Sequence, residues 1–324
     1  MVANGTNGGA GPGMPRDDII LPFQVEPFSI RGRFTRLGKA ANTILAAHDY
    51  PDPVARLMAE MLVLAPSLAG ALKYEGVFTL QIKGNGPVTT LMADVTSEGA
   101  LRGYAGFDSK AVTTLANEHG STVPLQRLTC GGYIAFTVDQ GRHAERYQGI
   151  AELACASLAE CTQAYFRNSE QLQTGIKIAA TQTNDAWRAS SLMIQRLPFS
   201  GDEGIAAGIT EDEYDESWRT ALVLMSSCTT DELVGSNQAP EALLYRLFHE
   251  TGVRTYPDQM VKAQCRCTVE KVERVLRSLT TEQLNDMTVN GVVSVVCEFC
   301  KDERHYNEEA LATLRATSDN EIAS

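Results

Sequence analysis

"GVFTLQIKGNGPVTTLMADVTSEGALRGYAGF", residues 76–107, is the stretch whose reading decides the fold. Three short runs with partial apolar alternation are separated by "GNGP" and "SEG". Period-two runs broken by such turn residues predict an antiparallel meander. "KGNGP" could be mistaken for a phosphate cradle. It lacks the Gly-Lys-Ser/Thr ending and precedes a strand rather than a helix, so it reads as a hairpin turn.

Upstream, "LMAEMLVLAPSLAGAL" (57–72) is apolar nearly all round but contains Glu60 and Pro66. At 16 residues it is too short for a membrane span and reads as a helix buried on several sides, between layers. "FTRLGKAANTILAAHDYP" (34–51) reads as a further helix stopped near Pro51. Downstream, "GGYIAFTVD" (131–139), "RYQGIAEL" (146–153), "TGIKIAATQT" and "ASSLMIQRLP" read as strands. "SLAECTQAYFRNSEQL" opens with a Ser157–Glu160 capping box and reads as a helix. Residues 19–200 are therefore expected to form one α+β domain, an antiparallel mixed sheet region with a buried apolar helix.

The texture changes after "PFSGDEGIAAG". Residues 201–262 read as an acidic, helical linker. Thr210 with Glu213 and Thr229 with Glu232 form capping boxes, and Pro240 suits the first turn of a third helix that stops at Gly252. Narrow apolar stripes such as Tyr214, Trp218, Ala221, Leu222 and Met225 cannot make a core alone. The linker must lean on a neighbour and is expected to be locally metastable.

Residues 263–316 form the last unit: a capped helix from Thr268 through Leu279, a short helix near 281–287, the strand "GVVSVVCEFC" and a final helix from about Asn307. So small a unit cannot bury a self-sufficient core and needs a staple. The candidate is Cys265-x-Cys267, then 29 residues, then Cys297-x-x-Cys300. Four thiolates suit Zn²⁺ at about 2.3 Å in a tetrahedron, with sulfurs about 3.8 Å apart. Residues i and i+2 of an extended strand share a face, so Cys-x-Cys can supply two corners, and Cys-x-x-Cys, at the end of an apolar strand, supplies the other two through a knuckle turn. Either pair could instead close a local disulfide at about 2.05 Å. The two arrangements exclude each other, so oxidation should expel the metal and unfold the unit.

Composition narrows the function classes. The chain has 324 residues, 44% of them hydrophobic, and a net charge of −12. Such a charge repels phosphate backbones. Residues 263–316 carry seven Lys/Arg and nine Asp/Glu, which argues against a nucleic-acid-binding zinc ribbon. "MVANGTNGGAGPGMPRDD" lacks the basic and apolar regions of a signal peptide and reads as a disordered tail (1–18); 317–324 reads as a second tail. The expected location is the cytoplasm, where thiols stay reduced, with no membrane and no nucleic-acid partner. Four cysteines leave no open coordination position for a zinc enzyme. A deaminase would need His-x-Glu or Cys-x-Glu before Pro-Cys-x-x-Cys, and the sequence holds no Pro-Cys-x-x-Cys. His249-Glu250 reads as a helix end, His305 as a competing ligand to a filled tetrahedron, and Cys130, Cys155, Cys161 and Cys228 as isolated small hydrophobes. A thiol–disulfide oxidoreductase stands as an alternative, as does a structural zinc-ribbon interaction module.

Beside the cysteine pairs, "HDYPDPV" (48–54), "GNGP" with "MAD" and "RGYA" (84–105), "ERYQG" (145–149), "YFRNSEQL" (165–172) and "LLYRLFHE" (243–250) appear in order. From about residue 25 the chain resembles the heat-shock protein 33 family of redox-regulated bacterial chaperones. The resemblance implies a non-enzymatic, ATP-independent holdase. In the reduced state one Zn²⁺ per chain is bound by Cys265, Cys267, Cys297 and Cys300. In the oxidised state it implies Cys265–Cys267 and Cys297–Cys300 disulfides, loss of zinc, local unfolding, a homodimer and capture of unfolded client proteins. The Gly-rich head and "GDEGIAAG" match no segment of that pattern.

Overall fold

The computed structural model describes residues 16–25, 29–120, 122–141, 146–184, 186–198, 210–235 and 237–314. The chain divides into two compact units, Met1–Ala263 and Gln264–Ser324.

The first unit is layered about one helix. α2 (Asp52–Ala69) enters behind Pro51, whose fixed backbone suits a helix start, and buries 15 of its 18 residues. It lies against strands of two sheets. Sheet B is the predicted meander, β3 (Val77–Gly84), β4 (Val88–Thr96) and β5 (Ala100–Phe107), extended by β6 (Gly132–Asp139) and β7 (Tyr147–Glu152) on one side. Sheet A is built from β1 (Ile19–Val25), β2 (Ile30–Leu37), β8 (Thr174–Thr183) and β9 (Ala186–Arg196), in the order β1-β2-β9-β8. α1 (Lys39–Ala46) and α5 (Leu158–Asn168) also touch strands of both sheets, so a helix layer is sandwiched between them. α3 (Ser109–His119) and α4 (Leu125–Thr129) lie between β5 and β6 in sequence. The principal core gathers here, with Met58, Leu62, Leu80, Leu91 and Met193 fully buried.

Residues 34–51 are not one helix. Phe34–Leu37 finish β2 and only Lys39–Ala46 is helical. The polar letters of "FTRL" hide the strand: Thr35 and Arg36 are completely buried, and pairing with β1 and β9 overrides the local pattern. β1 alternates Ile19, Leu21, Phe23 and Val25 onto the sheet face opposite α2. Pro22 is accommodated where two outer partners of β1 meet: β10 (Val253–Thr255) pairs residues 23–25 and β11 (Gln259–Met260) pairs 19–20.

Three helices cover that outer face of sheet A: α6 (Glu211–Ser227), α7 (Thr230–Val234) and α8 (Pro240–Phe248). Thr210–Glu213 and Thr229–Glu232 form complete capping boxes. At α5 Ser157 accepts from the Glu160 amide, but the Glu160 carboxylate takes the Ala156 amide instead of closing the box. Trp218, Met225, Leu243, Leu247 and Phe248 pack on Phe23, Phe34 and Ile194 as a second core. The chain after Gly252 is extended rather than helical. It adds β10 and β11 to sheet A and β12 (Lys262–Ala263), parallel to β5, to sheet B. Of the expected tail, residues 1–15 lie outside the described residues, as do "GDEGIAAG" and 317–324. Arg16 bonds to Glu241 and Asp258, and Asp17 to Arg188. Among the described residues no helix is long and apolar enough to cross a membrane.

The second unit contains α9 (Val269–Ser278), capped by Thr268, α10 (Thr281–Met287), a three-stranded antiparallel sheet of β13 (Thr288–Val289), β14 (Val292–Val296) and β15 (Glu303–Asn307), and a helix at 308–314. Its buried hydrophobic centre is small: Leu276, Leu284, Val293 and Tyr306. β15, "ERHYN", gives no apolar alternation and is recognisable only through its pairing with β14.

Candidate metal centre

An irregular segment and a turn of the second unit bring the four paired cysteines together. Cys265 and Cys267 lie in the irregular segment before α9. Cys297–Cys300 form the turn from β14 to β15, closed by the Lys301 amide on the Cys297 carbonyl at 2.8 Å and the Cys297 amide on the Asp302 carbonyl at 2.9 Å. Lys301 takes the left-handed conformation that lets the chain reverse there. The expected strand for Cys-x-Cys is absent, yet its two sulfurs still reach the other pair. Cys265 Sγ is 3.7 Å from Cys297 Sγ, and Cys267 Sγ is 3.4 Å from Cys300 Sγ. All four sulfurs lie within 4.8 Å of one another.

These separations are close to the roughly 3.8 Å edge of a tetrathiolate around Zn²⁺. They are far beyond the ~2.05 Å of a disulfide. The donor set is soft and complete, and the four residues could hold one metal ion. The protonation balance points the same way. Burial opposes ionisation of Cys265, but hydrogen bonds from Cys267, Cys300 and Cys297 outweigh it and bring that thiol down to about 7. Burial pushes Cys267 and Cys300 up. Four thiolates in this space need a cation to offset their charge. Arg304 contributes one positive group, with Nη2 3.9 Å from Cys267 Sγ.

His305 stands outside the cluster, its Nδ1 2.9 Å from Ser294 Oγ on the neighbouring strand. The Cys-x-x-Cys turn runs from strand to strand, not into a helix N-terminus as a dithiol oxidoreductase arranges it. His249 caps the end of α8 beside Tyr245. Cys228 is buried at the end of α6, where burial raises its thiol pKa. Cys155 and Cys161 are not isolated: they contact each other, and burial pushes Cys161 up to about 12. Cys130 is exposed.

With this geometry in view, the relatives are informative. The model of the family described as "Hsp33 protein" matches residues 18–307. The chain belongs to the Hsp33 family. A 33 kDa chaperonin of Caulobacter vibrioides is 36% identical over 290 residues, covering 88% of this chain and 93% of the relative. One from Ectopseudomonas mendocina is 33% identical and covers 95% and 98%. The crystal structure of the Hsp33 homologue of Thermotoga maritima superposes with a TM-score of 0.76 over 94% of this chain and 99% of that one, at 21% identity, which establishes a common fold.

Sequence reasoning missed the groups that fasten α6–α8 to sheet A. α7 is one turn long, and its last carbonyls need partners. Arg36, completely buried on β2, donates to the Leu233 carbonyl at 3.3 Å and the Gln238 carbonyl at 3.0 Å. Arg188 donates to the Val234 carbonyl at 3.0 Å. Burial lowers the Arg36 pKa to about 10. An arginine at an inward strand position was the available signal.

Proposed function

We propose that this chain is an ATP-independent holdase chaperone switched by the redox state of Cys265, Cys267, Cys297 and Cys300. Family membership and the chaperonin name of its relatives support the chaperone part. One observation carries the switch: four thiol sulfurs within 4.8 Å of one another in a unit that, among the described residues, buries only four core hydrophobics. Bound Zn²⁺ would hold the four thiolates together and keep them ionised.

Each Cys pair can pass two electrons to a peroxide. Two thiolates and one H₂O₂ give a disulfide and two hydroxides. Oxidation of Cys265 with Cys267 and of Cys297 with Cys300 leaves no sulfur as a thiolate ligand. Metal binding supplies on the order of 10 kcal/mol to the folding of a small metal-stapled unit, so residues 263–316 would lose their fold. The linker then loses its C-terminal anchor, since Cys265 follows β12 by two residues. Freed from sheet A, α6–α8 would expose Leu21, Phe23, Phe34, Leu192 and Ile194. That face would hold unfolding clients, and oxidised chains would pair as homodimers. The setting is the reducing cytoplasm, and no catalysed reaction is assigned.

Zinc content and suppression of client aggregation, measured together before and after peroxide at elevated temperature, test the proposal. The expected result is one zinc and no suppression when reduced, no zinc and full suppression when oxidised. Equal suppression in both states defeats the switch.

A further inference from the structure

Two segments picked out in the sequence, "ERYQG" (145–149) and "YFRNSEQL" (165–172), take no part in the metal centre. Their described residues, 146–149 and 165–172, meet at the edge of sheet B. β7 ends that sheet, and among the described residues only β6 pairs with it. Its outer edge turns alternate backbone N–H and C=O groups away from the sheet. Proteins usually blunt such an edge with lysine, proline or a bulge. β7, "YQGIAE", has no lysine or proline, and its register with β6 runs without a break from Tyr147 to Glu152. It also exposes two large apolar side chains on opposite faces, Tyr147 at 51% and Ile150 at 57%.

Beside Tyr147 opens a cavity of about 320 Å³, walled by Leu68, Leu72, Phe78, Val138 and Phe166. Lys73 and Gln140 stand at its border, while Tyr147, Tyr165 and Glu170 bond to one another. Tyr165 stacks on Phe136 at 4.3 Å and donates to Glu170 Oε1 at 2.6 Å. Tyr147 donates to the same oxygen. Gly149 makes this possible, because a Cβ there would lie 1.9 Å from the Tyr165 hydroxyl. The space left is mostly apolar and of a size to take a Leu, Phe or Trp side chain.

An open strand edge selects an extended backbone, and the cavity selects a large apolar side chain. A folded protein buries both; a chain that has lost its fold offers them together. We infer that the outer edge of β7 and the adjoining aromatic cavity form a standing docking site for extended apolar segments of unfolding proteins. The segment adds a seventh strand to sheet B and drops one side chain into the cavity. This assignment rests on the chaperone reading, but the site lies in the first unit, away in sequence from Cys265, Cys267, Cys297 and Cys300, and its docking of a single short segment is separate from the suppression of aggregation that oxidation switches on.

The test uses the full-length chain, zinc-loaded and reduced, with a short fluorescein-labelled peptide alternating Phe and Thr. A second copy of the peptide is N-methylated at alternate residues. Anisotropy should report binding of the first peptide and its loss on methylation. Hydrogen exchange should slow at residues 147–152. Ile150→Lys, an exposed edge change, and Leu72→Trp, which fills the cavity mouth, should each weaken binding by roughly tenfold. Peptide binding with these signatures in a protein that never suppresses aggregation supports the site and removes the chaperone reading. Suppression that survives both substitutions, with exchange at 147–152 unchanged by client, overturns the site and leaves the chaperone reading standing. A chain that self-associates through β7, dissociated by Ile150→Lys and indifferent to peptide, also overturns it.

Discussion

Arg36 of β2 and Leu233 of α7 are joined by the guanidinium at 3.3 Å from the carbonyl, with Arg36 fully out of solvent. A charge from the sheet thus closes a helix end in the segment proposed to unfold. Arg36→Met keeps the apolar stem but strands the Leu233 and Gln238 carbonyls, at roughly 1–3 kcal/mol for each buried group left unmade. The linker should open first. Hydrogen exchange over residues 211–248 should accelerate, and the urea midpoint of the first unit should fall. Zinc affinity should not change, because the cysteines belong to the other unit. Linker exchange equal to that of the parent chain would falsify the anchoring role.

The cysteine cluster predicts a different separation. Cys297→Ser with Cys300→Ser should remove bound metal and collapse the NMR signals of Leu276, Leu284, Val293 and Tyr306. Signals from Met58, Leu80 and Met193 in the principal core should persist. A strong chelator should do the same to the parent chain. A double variant that still binds one zinc would refute the ligand set.

Much of this could be read in the sequence, for identifiable reasons. α2 announces itself because it is buried on nearly every side, and the meander because its buried positions recur with the period of two that its sequence shows, so local pattern and tertiary environment agree. The cysteine spacing is legible because thiol chemistry tolerates few alternatives. The end of β2 was hidden by Thr35 and Arg36, polar residues that are completely buried, Thr35 against the Ser67 hydroxyl of α2 and Arg36 against the Leu233 carbonyl 197 positions away. β10–β12 are two or three residues long and exist only because sheets A and B accept them. The aromatic cavity depends on Tyr147 meeting Tyr165 and Glu170 from another element, a juxtaposition no local window contains.

At Gly149 the constraint is steric rather than conformational. Adding a methyl group forces Tyr165 off Phe136 and away from Glu170. Gly149→Ala should cost about 1–3 kcal/mol, the usual range for overpacking a tight contact, read as a lower melting temperature. Pairing it with Tyr165→Phe, which deletes the clashing hydroxyl, should recover part of the loss. Failure of that pair to recover any stability would point to a backbone cause instead.

Glu60 offers a pH signature within the principal fold. It sits on α2 at a cavity of about 260 Å³ bordered by Arg56, Thr122, Leu125 and Ser157. Burial raises its carboxyl pKa to about 7, with Arg56 one turn earlier pulling it back. The unfolded chain has this group near 4.3. Between those values the folded state keeps a proton that the unfolded state has released. Stability should therefore fall as pH rises from about 4 to 7 and level off above, with a full contribution on the order of 3 kcal/mol. Glu60→Gln mimics the protonated form at every pH. Its urea midpoint should exceed that of the parent at pH 8 and match it near pH 4.5, with the cysteines kept reduced and zinc-loaded throughout. If the parent's slope across this window persists in the variant, another group carries it and Glu60 is ionised in the fold.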